Sequence, residues 1–209
     1  MIWRKAWRDL MLNKARLLVI VGSTGAALAL LGLIVGLAVV LRGEMANSHR
    51  TSNPGHINFW TSPFDEEMLD ALRRVDGVAD VEGQIHLTLR WRRTPDAEWR
   101  TGTLIGRSDY QKQHMDLVFL QDGRWPRPRR RELAVERQSI PYFGLTLGEP
   151  VEVEVNNQAQ LVPLVGSVRM PFHFFGPAPM TGQAAFFATP RTVTWLTGID
   201  QYNQINVQM

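Results

Sequence analysis

The chain has no cysteine among its 209 residues, which excludes a disulfide framework and any thiolate-bound metal. Its five histidines, at 49, 56, 86, 114 and 173, never fall four apart on one helix or meet across a tight hairpin, so spacing yields no metal-ligand pair. The GxxxxGK(S/T) phosphate loop, the GxGxxG dinucleotide turn, the GxSxG nucleophile turn and the HExxH zinc helix are also missing. The expectation is a chain that is not an enzyme, cannot hydrolyse ATP unaided and needs no cofactor or metal of its own. A further absence is more informative: no charged residue lies between Arg16 and Arg42.

That gap, Leu17 to Leu41, is 25 uncharged and mostly apolar residues. As a helix it would measure about 37 Å against a hydrocarbon core of about 30 Å, enough for a tilted membrane span. A cleaved signal peptide has a much shorter apolar region, and no small-x-small site follows in Arg42-Gly43-Glu44-Met45-Ala46. Before the span stand Arg4, Lys5, Arg8, Lys14 and Arg16 against Asp9 alone, while beyond it 18 basic residues face 19 acidic ones. The basic flank predicts a cytoplasmic N-terminus and an extracytoplasmic 42–209. Because the net positive charge sits in this flank, it argues no case for nucleic acid as a partner.

Residues 1–16 place Trp3, Ala6, Trp7, Leu10 and Met11 on one helical face, which predicts an amphipathic helix in the headgroup layer of membrane lipid, with Trp3 and Trp7 as anchors. Within the span, Gly22, Gly25, Ala29, Gly32 and Gly36 recur at 3- and 4-residue spacing on one stripe, the pattern that lets a partner helix approach closely. Residues 42–56 are polar and read as a stalk ending at Asn53-Pro54-Gly55.

From 57 to 209 the pattern is that of an α+β domain of antiparallel hairpins and short helices, in two subdomains. Ile57 to Trp60 is a first strand. Thr61-Ser62-Pro63 before Asp65, Glu66 and Glu67 reads as a helix start, with Phe64, Met68, Ala71, Leu72 and Val75 on its apolar face. The three adjacent acids cannot converge on one point, which argues against catalysis there. Val78 to Gly83 is a short strand. Gln84 to Arg93 alternates, with Ile85, Leu87, Leu89 and Trp91 inward and His86, Thr88, Arg90 and Arg92 outward. Thr94-Pro95-Asp96-Ala97 turns the chain into a partner strand at Trp99 to Gly106. Residues 109–118 are a short helix or a loop.

A basic loop follows, with Arg127, Arg129 and Arg130 either solvated or presented to an anionic headgroup or acidic partner. Glu132 to Glu136 is a strand and Ser139 to Gly144 a helical turn. Val151, Val153 and Val155 alternate with Glu152 and Glu154, and Leu161 to Val168 returns as a second hairpin. The loop from Pro171 to Met180 holds Phe172, Phe174 and Phe175, which either line the domain or form an external contact. Gln183 to Thr189 is a strand, Pro190 to Gly198 a capped helix and Asn203 to Gln208 a last strand.

The order of WRKAWRDLMLNKAR, the span, DGVADVEG, DGRWP with RRRELAVE, GLTLGEPVEVEV, LVPLVGSV and FFATPRTVTWLTG before NQINV resembles the N-terminal half of ABC-transporter permeases of the MacB/FtsX type. The resemblance implies a first membrane helix and a MacB-like periplasmic core domain, a separate cytoplasmic ABC ATPase that binds the ATP, and a second permease copy. A periplasmic adaptor would be a further partner. The function it implies is transmission of movement from ATP hydrolysis to an external domain, for export or release of substrate. Such permeases usually have four spans, and the three C-terminal FtsX-like spans are not in this sequence, so it reads as a fragment or a split subunit. The alternative is a single-span anchored sensor or binding domain that works without an ATPase.

Overall fold

The computed structural model describes residues 14–155, 157–170 and 177–209, apart from the side chains of Met45, Ser48 and His49. The chain divides into two compact units, one up to Asn47 and one from Ser48 to Met209. The first consists of helix α1, Lys14–Ser52, which also supplies the opening residues of the second. By length and composition, Lys14–Glu44 can cross a membrane. Its apolar side chains stand open, from Leu18 at 72% exposure to Val39 at 65%. Helix α1 continues through the polar stalk and stops at Ser52. There Asn53 takes a left-handed φ of 42°, and Pro54 has no N–H to donate.

In the second unit, strand β1 (Ile57–Phe64) and helix α2 (Glu66–Arg73) precede β2 (Asp80–Arg92), a single 13-residue strand. Strands β3 (Arg100–Gly106), β4 (Phe119–Gly123) and β5 (Leu133–Glu136) lead to helix α3 (Ser139–Phe143). Strands β6 (Pro150–Val155) and β7 (Gln158–Arg169) form the second hairpin. Then come α4 (Ala178–Thr181), β8 (Ala184–Ala188), α5 (Pro190–Thr197) and β9 (Tyr202–Gln208).

Strand β2 serves two assemblies. Its first half, Asp80 to Gln84, pairs antiparallel with β9, which pairs antiparallel with β1. Phe64, Leu69, Val81, Ile205 and Val207 form the core of this three-stranded sheet and α2. The second half pairs with β3, and the pairings continue β3–β8, β8–β5, β5–β7, β7–β6 and back from β6 to β2. The result is a closed six-stranded ring. Side chains from all six strands meet in one cluster inside it, including Trp91, Leu104, Leu133, Val153, Leu164 and Phe186. The alternate residues Ile105, Ala134, Val168, Ala185 and Phe187 face outward and are covered by Tyr110 and Val118.

Four details differ from the sequence reading. Helix α2 begins later: its cap is Asp65, which accepts from the Met68 amide at 3.4 Å, while Thr61, Ser62 and Pro63 remain in β1. Pro63 is tolerated there because β1 is an edge strand and its ladder slips between Trp60 and Phe64. Helix α2 consequently buries Leu69 and half-buries Leu72, leaving Met68, Ala71 and Val75 exposed. Val78 to Gly83 and Gln84 to Arg93 are one strand rather than two. Two pairings, β3–β8 and β5–β7, are parallel, beyond the antiparallel hairpins expected. The segment 109–118, expected as a short helix or a loop, is a loop, as one of those alternatives had it.

Candidate functional site

The last turn of α1 is bound into the second unit by the loop at 107–118. The amides of Leu117 and Asp116 donate to the carbonyls of Ser52 (2.8 Å) and Asn53 (3.0 Å). The Asn53 side chain donates back to the His114 carbonyl at 2.6 Å, and Gln208 donates to Asn53 Oδ1 at 3.3 Å. The Gly55 amide donates to the Asp116 carboxylate at 3.2 Å. Beyond it the His56 amide donates to the Val207 carbonyl at 2.8 Å. Strands β1 and β9 then run side by side from Ile57 opposite Val207. The chain therefore passes into the domain and reaches Val207 at one edge of one sheet.

Arg107 holds the loop in place. It is 3% exposed, and its guanidinium donates to Gln113 Oε1 (2.6 Å) and to the carbonyls of Asp116 and Met115 (3.2 Å each). Its Nε lies 2.7 Å from Glu82 Oε1. Five donors in a rigid plane suit this task, because one side chain ties a strand to three points of a loop. Gln113 braces the loop from within, donating to the carbonyls of Tyr110 and Val118 and accepting from the Val118 amide. The Tyr110 hydroxyl lies within hydrogen-bond distance of the Ile105 and Ala188 carbonyls.

Burial sets the electrostatics. Desolvation raises the Glu82 carboxyl above its ordinary range even though Arg107 pulls it down. Burial, reinforced by Arg107, lowers the His86 imidazole to about 3, so the ring is neutral. Its Nε2–H donates to Gln84 Oε1 at 2.9 Å, and it meets the Trp60 ring edge-on at 5.2 Å. Burial also pushes the Tyr110 phenol up. Between the loop and the sheet is a cavity of about 20 Å³, lined by Gln84, His86, Arg107, Tyr110 and Asp116 among others, with room for about one water. Among the described residues, no three His, Asp or Glu side chains gather as a metal site.

Arg127, Arg129 and Arg130 are exposed on the loop between β4 and β5, where the neighbouring Glu132 accepts two bonds from Arg124 (2.6 and 2.7 Å). That hydrogen bonding holds the Glu132 carboxyl below its usual range. Gly22, Gly25, Gly32 and Gly36 have no other atom within 4 Å of an added Cβ, and Ala29 is exposed. Trp3, Trp7, Phe172, Phe174 and Phe175 lie outside the described residues. His86, expected on an outward face, is 6% exposed because the loop covers that face. Arg107, Glu82 and Asp116 escaped sequence reasoning. A break at Asn53-Pro54-Gly55 was visible, but not what would bind it.

No family model matches the sequence, and no curated protein matches it. Among solved structures, the extracellular domain of the noncanonic ABC-type transporter YknZ from Gram-positive bacteria superposes with a TM-score of 0.50 at 20% identity, covering 73% of this chain and 81% of that one. The periplasmic region of MacB from Actinobacillus actinomycetemcomitans gives a TM-score of 0.47 at 12% identity, covering 74% of this chain and 66% of that one. The first likeness shows the fold: an apolar N-terminal helix is followed here by an α+β domain with the architecture of a transporter's extracellular domain.

Proposed function

We propose that this chain is an ABC-transporter permease subunit, or the N-terminal part of one, that couples a partner ATPase to movement of an extracytoplasmic domain. The observation that carries the reading is the anchor at Ser52, Asn53 and Gly55. Helix α1 runs from its apolar stretch into the polar stalk, and within the second unit its final residue Ser52, with Asn53 and Gly55, is hydrogen-bonded to the loop at 107–118. A helix end bonded in this way passes displacement to the loop that holds it. The fold shared with YknZ's extracellular domain supports the same reading. The groups at the anchor are then positioning groups. Arg127, Arg129 and Arg130 serve as a contact for anionic headgroups or an acidic partner, and Phe172, Phe174 and Phe175 as an external contact.

The test is purification of the chain, in mild detergent, from cells expressing it with its genomic neighbours. An ATPase carrying a phosphate-binding loop is expected to co-purify, with turnover that changes when Asn53 is replaced by alanine. Recovery of the chain without any ATPase would overturn the reading in favour of a single-span sensor.

A further inference from the structure

Strands β2 and β9 have two unlike faces. Val81, Ile205 and Val207 look into the apolar core with α2. The opposite face carries Glu82, Gln84 and His86 from β2 and Gln204 and Asn206 from β9, in register as Glu82 opposite Asn206 and Gln84 opposite Gln204. A polar sheet face is ordinarily wet. Here Gln84 is 3% exposed, Gln204 1% and Asn206 0%.

What shuts water out is the loop and the helix end. Gln84 and His86 share the small cavity with Arg107, Tyr110 and Asp116, and the Cα hydrogens of Gly55 lie over Asn206, where a Cβ would be 3.4 Å from the Asn206 Cβ. The cover leaves polar atoms stranded: Gln84 Nε2, Gln204 Oε1, and both Oδ1 and Nδ2 of Asn206 have no hydrogen-bond partner among the described residues. Such groups raise the free energy of the closed state and regain hydrogen bonds to water when uncovered.

The cover is itself fastened in two ways. Tyr110 and Val118 are rooted in the apolar cluster with Ile105 and Phe187. Between these roots, residues 111–117 are held by hydrogen bonds, to Arg107, to Gln113 and to the helix end, and by one fully buried apolar side chain, Met115. Asp116 and Asn53, facing each other across the joint, both have positive φ, 49° and 42°. A segment with a single buried apolar anchor and many polar bonds, lying over a face that gains from hydration, separates more readily than one held by apolar packing throughout.

We propose that residues 111–117 and the helix end at 52–55 form a latch that lifts as one piece from the polar face of β2 and β9, with Arg107 as the catch. Opening hydrates Gln84, Gln204 and Asn206 and leaves the ring and its core intact. The device frees the end of α1 without unfolding the domain. It concerns the domain alone and stands whether or not an ATPase drives it.

Hydrogen exchange on the full chain in detergent micelles tests this. The amides of Asp116 and Leu117 are expected to exchange at least 100-fold faster than the ring amides of Leu104 and Phe186. The double variant Gln204→Leu/Asn206→Val, which removes three of these four stranded atoms, is expected to slow Asp116 and Leu117 tenfold or more. Arg107→Lys, or Glu82→Gln should the first fail to fold, is expected to speed them tenfold, all with the ring amides unchanged. Exchange of Asp116 and Leu117 at the ring's own rate, or an apolar double variant that leaves their rate unaltered, would overturn the latch. Neither result bears on whether an ATPase co-purifies.

Discussion

His86 sits with its ring edge against Trp60 and its Nε2–H on Gln84, neutral because burial lowers its pKa to about 3 against about 6.5 unfolded. Between those values the unfolded chain binds a proton that the folded chain refuses. The His86 contribution to stability is therefore fully present above pH 6.5 and is lost as pH falls toward 3, by about 2 kcal/mol at pH 5. Thermal unfolding at pH 7.5 and 5 should show this fall, and His86→Leu should flatten it; an equal slope in the variant would refute the assignment. A second residue-scale expectation concerns Phe186, which meets the Trp91 ring at 5.2 Å inside the closed ring and is fully buried. Phe186→Ala should cost about 3–5 kcal/mol in a denaturant titration. Alternation correctly placed Trp91 inward. It misplaced His86 because a two-residue period tells which residues share a face, and not what later covers that face.

Among the elements, α1 carries its stripe of Gly22, Gly25, Ala29, Gly32 and Gly36 with open space beside the glycines. Gly32→Leu or Gly36→Leu meets nothing among the described residues, so a loss of partner spans on co-purification is the expected outcome, and unchanged co-purification argues against the stripe as a packing face. The end of α1 was legible in Asn53-Pro54-Gly55, since those residues disfavour helix continuation locally. The start of α2 was not. Thr61-Ser62-Pro63 is good cap chemistry, yet β9 recruits that stretch as an edge strand and the cap passes to Asp65. Gly83 shows the same kind of dependence. A Cβ there would lie 2.8 Å from the Tyr202 ring and 2.9 Å from Leu69, a crossing of β2, β9 and α2 that no local pattern announces.

For the whole molecule, the lack of cysteine turns into an advantage, because any introduced thiol is the chain's sole one. Asp96→Cys, on the exposed turn after β2, should react with a membrane-impermeant maleimide in intact spheroplasts, whereas Lys5→Cys should react only after permeabilisation. The reverse pattern would invert the proposed orientation. By itself, the sequence determined the apolar helix, its charge asymmetry and most strands, because these follow from runs and periods along a few neighbouring residues. The tertiary structure alone decided that two hairpins and two other strands close into a ring and that β3 and β8 run parallel. It alone also decided that Arg107 reaches from one strand to the loop binding the helix end. Those outcomes rest on residues far apart in the chain, such as Gly106 beside Ala188 and Asn53 beside Gln208, the latter pair 155 positions apart, and only packing brings such residues together.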